Sequence, residues 1–374
     1  MKNILRIELN PNRIYGLDIL RALAILFVVA GHGMSLMPDE RTKFFNLIIF
    51  DGVSMFFVLS GFLIGGILIK LIKEKTINSK LIFDFWVRRW LRTLPNYFLI
   101  LIILLLLASI FNDNFSLLDY RLYFIFSQNL FSEHPSNFFP EAWSLSVEEW
   151  FYLLLPLMLF VSIRLFKISI NKSILLTAFG VIISITLFRY FRYISLPIVD
   201  INAWHKTIVF SRLDSLMYGV IGAYTYIYYE NFWNKHKVMF LLVGILLFVF
   251  MKWNPLKFET LGLYGCIFEF LITSIATLCL LPFLSNLKSG KGYVYKLITY
   301  ISLISYSMYL TNLSIVNDWI LKNIDWSLLQ NFNGYIYLIT RYSLFWILTV
   351  LLSILIYKYF EIPIMNLRDK IRIK

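Results

Sequence analysis

Hydrophobic positions along this chain fall into long runs rather than into strict alternation. Tyr97 to Ile110 and Val238 to Met251 are representative, and similar runs recur from end to end. With their flanks they approach the ~20 residues that a membrane-spanning helix needs. The pattern predicts an all-α, polytopic integral membrane protein with about ten transmembrane helices. Their expected extents are 17–37, 46–69, 95–111, 144–163, 173–191, 208–229, 238–253, 262–284, 298–316 and 336–357. Tyr120 to Phe131 is apolar but too short to span, and reads as an interfacial or re-entrant piece. There is no long linker or obvious repeat, so residues 1–374 read as a single transmembrane domain.

Composition supports this pattern. Of 374 residues, 59% are hydrophobic and only 15% charged, where soluble domains carry roughly 25%. Too few charges remain to coat a soluble surface, which excludes a soluble fold, disorder and nucleic-acid binding together. The net charge of +13 fits the Lys and Arg excess of cytoplasmic loops. With ten spans and both termini in the cytoplasm, 23 basic residues fall inside and 11 outside, with Arg21 left within the first span. Arg189, Arg192, Lys206 and Arg212 run against the bias. The polar stretch from Met1 to Arg13 lacks the apolar core of a cleavable signal peptide, so the first span is expected to direct insertion. Cys266 and Cys279 have no metal-ligand spacing and read as core residues.

Several spans carry residues that lipid does not tolerate cheaply. Arg21 and His32 are eleven residues apart, which is about three helical turns. They therefore share one face of the first span, about 16 Å apart along its axis. Charges at such depth usually face the protein interior. Asp51 opens the second span, in which Ser60, Gly61, Gly65 and Gly66 permit close approach of a helix or ligand. Arg88, Arg89 and Arg92 cluster before the third span and could hold phosphates, although topogenic charge or lipid headgroup binding is the stronger reading of the cluster taken alone. The fourth span opens Trp143-Ser144-Leu145-Ser146-Val147-Glu148-Glu149. Adjacent residues diverge by about 100°, so one of the two glutamates at most is expected to face the cavity of His32. Arg212 and Asp214 open the sixth span, Asn312 lies toward the outer end of the ninth, and Glu361 follows the last. The topology thus predicts arginines at the inner end and acid–base groups at the outer end.

These motifs, in this order, resemble the membrane-bound acyltransferase-3 family of O-acyltransferases. The resemblance runs from Gly16 to about Pro363 and rests first on the Arg21–His32 spacing. Phe56 to Phe62, Arg88 to Pro95 and Trp143 to Glu149 strengthen it. It implies transfer of an acyl group, commonly acetyl, from acyl-coenzyme A to a hydroxyl of a surface or lipid-linked carbohydrate, in a bacterial plasma membrane. Acyl-coenzyme A is then a co-substrate, with no tightly bound cofactor and no metal expected. Under this reading Arg21, Arg88, Arg89, Arg92 and Ser60 hold the donor. His32 is the general base, or alternatively carries the acyl group, and Glu148 or Asp51 orients its ring. Trp143, Ser144, Glu149, Arg212, Asp214 and Asn312 support or bind the acceptor. Many relatives carry a histidine where Asn312 stands, and an asparagine cannot titrate near neutral pH. Some relatives carry an appended esterase-like domain, which is not expected here. Two rival readings are a glycolipid or anion transporter, which would move substrate without consuming acyl donor, and a non-catalytic scaffold.

Overall fold

A computed structural model describes residues 13–37, 45–135, 138–195, 206–253 and 262–370. The described residues contain helices and no strand. Ten long helices are α1 (Tyr15–Gly33), α2 (Gly52–Glu74), α3 (Ser79–Phe111), α4 (Ala142–Phe160), α5 (Ile170–Ser195), α6 (Leu213–Tyr228), α7 (Lys237–Trp253), α8 (Glu269–Leu284), α9 (Gly292–Thr311) and α10 (Gly334–Ile356). Among the described residues seven helical stretches are long and apolar enough to cross a membrane: Tyr15–Leu36, Phe45–Glu74, Ser79–Phe111, Ala142–Leu165, Ile170–Ser195, Tyr264–Leu284 and Gly334–Leu367. The expected spans 208–229, 238–253 and 298–316 fall outside that set. Helices α6 and α7 are short, at 16 and 17 residues. Helix α9 carries Lys296, Thr299, Ser302, Ser305 and Ser307, which lower its apolarity. The basic residues of 1–12 and 371–374 that enter the orientation count lie outside the described residues.

The third helix departs most from expectation. It begins at Ser79 rather than near residue 95, so the arginine cluster is helical. Asn78 caps it, its side chain accepting from Leu81 N at 2.8 Å, a start signal of the usual Asn/Ser kind. The apolar piece near Tyr120 is a 3₁₀ helix, Leu117–Ile125. Leu117, Leu118 and Ile125 stay exposed on it, as an interfacial segment requires.

Outward faces are apolar, as Leu242, Leu246 and Phe250 of α7 show, while serines, threonines and asparagines are buried within. Helices α2 and α6 cross backbone to backbone. A side chain at Gly61 would meet Leu216 O at 1.9 Å, and one at Gly219 would meet Val58 O at 2.1 Å. Small residues at such crossings replace hydrophobic burial with close contact. Among the described residues two large apolar clusters result. One joins α2, α4, α5 and α6; the other joins α1, α3, α9 and α10. Phe57 and Ile64 of the first and Leu145 and Tyr309 of the second face each other across a cavity.

Candidate active site

The cavity holds about 280 Å³ and is bordered by four arginines (Arg13, Arg21, Arg89 and Arg92) but only two glutamates (Glu148 and Glu361). Ser60 and Ser144 border it too, so the structure brings six sequence-predicted residues together: Arg21, Arg89, Arg92, Ser60, Ser144 and Glu148. Arg88 borders a second basin of about 660 Å³ at the α2–α3 turn, with Lys75, Lys80 and Asp84. The two basins share Ile64, Ile67, Arg89 and Arg92.

Arg89 sits deep because α3 carries it inward. Ten residues from the helix start amount to about 15 Å. Its guanidinium donates to Tyr152 OH and lies over the Tyr152 ring, 4.1 Å from its centroid. It also approaches Glu148 to 3.9 Å. Tyr152 OH donates to Glu148 at 2.9 Å and is bonded to Ser60 at 2.6 Å. The expected separation of inner arginines from outer carboxylates is therefore corrected here: Arg89 and Glu148 meet. Glu149 turns away, as the 100° divergence predicts, and accepts from Thr93 Oγ1 of α3 at 2.7 Å. At the other end of the cavity Asp18 accepts from Arg13 and from Ser302 of α9 at 2.7 Å, and lies 3.9 Å from Arg21.

His32 pairs with Asn312, which was the departure from the family pattern. The ring Nδ1 and Asn312 Oδ1 are 2.6 Å apart. Asn312 Nδ2 donates to Met308 O and to Tyr309 O, both at 2.8 Å. Both amide hydrogens are thus spent on carbonyls, which fixes the amide with its oxygen toward the ring. In the neutral ring Nδ1 then carries the proton and Nε2 the lone pair. Neither Glu148 nor Asp51 orients the ring. Glu148 is held at Arg89 and Tyr152. Asp51 caps α2, accepting from Val53 N and Ser54 N at 3.1 Å and from Ser54 Oγ at 2.5 Å. His32 itself does not border the cavity. The cavity reaches Tyr309, whose hydroxyl is bonded to Ser144 Oγ at 2.5 Å, one turn of α9 short of Asn312.

Arg212 and Asp214 lie apart from both. Asp214 is paired with Arg189. Arg212 donates to Ser54 Oγ at 2.6 Å and lies 3.6 Å from Asp51. It stacks 4.1 Å from the Phe270 centroid, with Phe57 and Trp143 at 5.6 and 6.0 Å. Trp143 meets Phe57 edge-on at 6.0 Å. Arg189, Arg212 and Asp214 are fully buried. Arg212 and Asp214 thus face Asp51, Ser54 and Arg189 rather than the cavity.

Sequence reasoning missed Arg13, Tyr152, Tyr309 and Glu141. The tyrosines gave no signal among 23. Glu141 could have been found, as a carboxylate immediately before an apolar helix.

The sequence model of the acyltransferase-3 family, described as an acyltransferase domain, matches residues 14–358. A Staphylococcus aureus (strain COL) protein provisionally named an O-acetyltransferase is 31% identical over 228 residues, covering 56% of this chain and 34% of the relative. The peptidoglycan O-acetyltransferase OatA of Listeria monocytogenes is 30% identical over 175 residues, 43% of this chain and 26% of the relative. The O-acetyltransferase OatA of Staphylococcus aureus (strain NCTC 8325) is 28% identical over 229 residues, 58% and 35% respectively. The chain thus covers about a third of the length of the curated relatives it matches. No solved structure matches.

Proposed function

The chain belongs to the acyltransferase-3 family, and we propose that it is a bacterial plasma-membrane O-acyltransferase that moves an acetyl group from cytoplasmic acyl-coenzyme A to a hydroxyl of a cell-envelope carbohydrate. Ten spans and cytoplasmic termini belong to this reading. Asp18–Ser302 and His32–Asn312 are successive contacts of α1 with α9. The two helices therefore run parallel, as a first and a ninth crossing would.

One observation carries the chemistry: Asn312 holds the His32 ring with the proton on Nδ1 and the lone pair on Nε2. Imidazole ordinarily titrates near working pH, which suits a general base. In the proposed step Nε2 takes the acceptor hydroxyl proton. The oxygen attacks the thioester carbonyl, the carbon–sulfur bond breaks, and the thiolate leaves and is reprotonated. The donor's phosphates would sit among Arg88, Arg89 and Arg92, where cations outnumber carboxylates. The acyl end would extend past Arg21 and Ser60 toward Tyr309 and Ser144. Glu148 restrains Arg89 in this arrangement.

Purified protein in proteoliposomes, given labelled acetyl-coenzyme A and extracted envelope glycan, should acetylate the glycan. His32→Gln should lower the rate by about 10²–10⁴-fold, the usual worth of a general base, with the melting temperature nearly unchanged. Transfer at the wild-type rate by a folded His32→Gln protein would sink the assignment.

A further inference from the structure

Glu141 is a buried carboxylate that the proposed chemistry does not use. It stands at the cap position of α4, yet its side chain makes no bond to that helix. It reaches across to the chain that follows Asn312. Its Oε1 accepts from Leu313 N at 3.1 Å and from Ser314 N at 2.8 Å. Its Oε2 accepts from Ser314 Oγ. Its backbone carbonyl lies 3.3 Å from both Ser144 Oγ and Tyr309 OH, which are bonded to each other.

These contacts fall where α9 breaks. Helix α9 ends at Thr311, with φ −107° and ψ −25°, and the chain continues as a π-helical segment, Asn312–Ile320. Such a transition leaves N–H groups outside the ladder. In an uninterrupted α-helix Leu313 N would donate to Tyr309 O, and Ser314 N to Leu310 O. Glu141 draws both N–H groups away. Tyr309 O is then available to accept from Asn312 Nδ2, the contact that points the amide oxygen at His32.

We propose that Glu141 is a positioning residue. By holding the N–H groups of Leu313 and Ser314 it breaks α9 at Asn312, and so sets the amide orientation that keeps the His32 proton on Nδ1. The inference deepens the reading of His32 as base and rests on it for its catalytic consequence. The tautomer itself does not depend on that reading.

The test is nitrogen-15 spectroscopy of histidine-labelled protein. The sequence holds four histidines, and His32→Gln assigns the resonances of His32. The wild type should show His32 with its proton on Nδ1 alone. Glu141→Ala should give a mixture of tautomers and lower kcat for acetyl transfer by about 10–100-fold, with the donor KM within about twofold. Glu141→Gln should restore the single tautomer, because its side-chain oxygen still accepts from both N–H groups. Glu141→Asp, which keeps the charge but shortens the reach by one methylene, should behave like the alanine variant. It supplies the reading should the alanine variant not fold. A single Nδ1–H tautomer with wild-type kcat in Glu141→Asp overturns the proposal. So does a tautomer mixture in Glu141→Gln equal to that in Glu141→Asp. A wild-type protein with the expected tautomer and no transfer activity would instead overturn the functional reading and leave the positioning role intact.

Discussion

Two groups of arginines lie inside this helical bundle, and they differ in what surrounds them. Arg189 and Arg212 have side chains with no exposed surface. Each faces a carboxylate, Asp214 and Asp51 respectively, and Arg212 fills its remaining sides with aromatic rings. Arg13, Arg21 and Arg89 keep 22%, 18% and 12% of their side-chain surface. They share a cavity with Arg92, where glutamates are outnumbered two to one. A buried pair matched one to one holds helices together and leaves no capacity for a ligand. With Asp18 on Arg13 and Glu148 3.9 Å from Arg89, three carboxylates stand against four arginines beside a void, which leaves this group room for an anion that the buried pairs lack. The same residue type thus serves two ends, and the carboxylate count together with the neighbouring void separates them.

The largest expected effect is on the closed group. Arg212→Met takes the cation from Asp51, whose side chain keeps 24% of its surface, and should cost about 3 kcal/mol, the low end for breaking a buried pair. The measurement is thermal melting in detergent. Adding Asp51→Asn should recover part of the loss, since removing both partners is far cheaper than removing one. A melting temperature unchanged by Arg212→Met would erase the distinction between the groups. Arg89→Gln tests the other side. It should raise the acyl-donor KM by about 100-fold, or roughly 2.7 kcal/mol, with a much smaller loss of melting temperature than Arg212→Met. A donor KM that stays put in an active Arg89→Gln enzyme would remove the arginine cavity from donor binding.

Part of this contrast was legible in the sequence. Helical class, membrane character and the shared face of Arg21 and His32 follow from apolar run length and the 100° helical step. The divergence of Glu148 from Glu149 follows from the same step. The Arg89–Glu148 contact was not legible, because it depends on α3 starting at Ser79. The Asn78 cap signalled that start, but the charged stretch after it read as a loop. The burial of Arg212 and Asp214 was hidden for another reason. Their partners, Asp51 and Arg189, come from α2's cap and from α5, and sequence spacing holds no information on which helices pack together. Asn312 illustrates the same limit. Its spacing marked it as a departure from a family pattern, whereas its value to His32 lies in two carbonyls on its own helix turn.

A third kind of buried group sharpens the comparison, namely one enclosed without any counter-ion. His134 lies between the 3₁₀ helix and α4, outside the spans. Its Nε2 donates to Phe139 O at 2.9 Å, and Tyr123 packs edge-on at 5.8 Å. Burial disfavours the imidazolium and lowers the pKa from 6.5 to about 4, against the smaller opposing effect of the Phe139 carbonyl. The folded protein therefore binds this proton more weakly than the unfolded chain. The resulting stability is complete above pH 6.5 and drains as pH falls through about 4. By pH 5 the loss should be about 2 kcal/mol from this group alone. His134→Gln keeps a side-chain N–H for the Phe139 carbonyl but cannot titrate. Its melting temperature should therefore fall less steeply than that of the wild type between pH 7.5 and pH 5. Identical slopes would mean that the neutral, enclosed state of His134 does not contribute to stability.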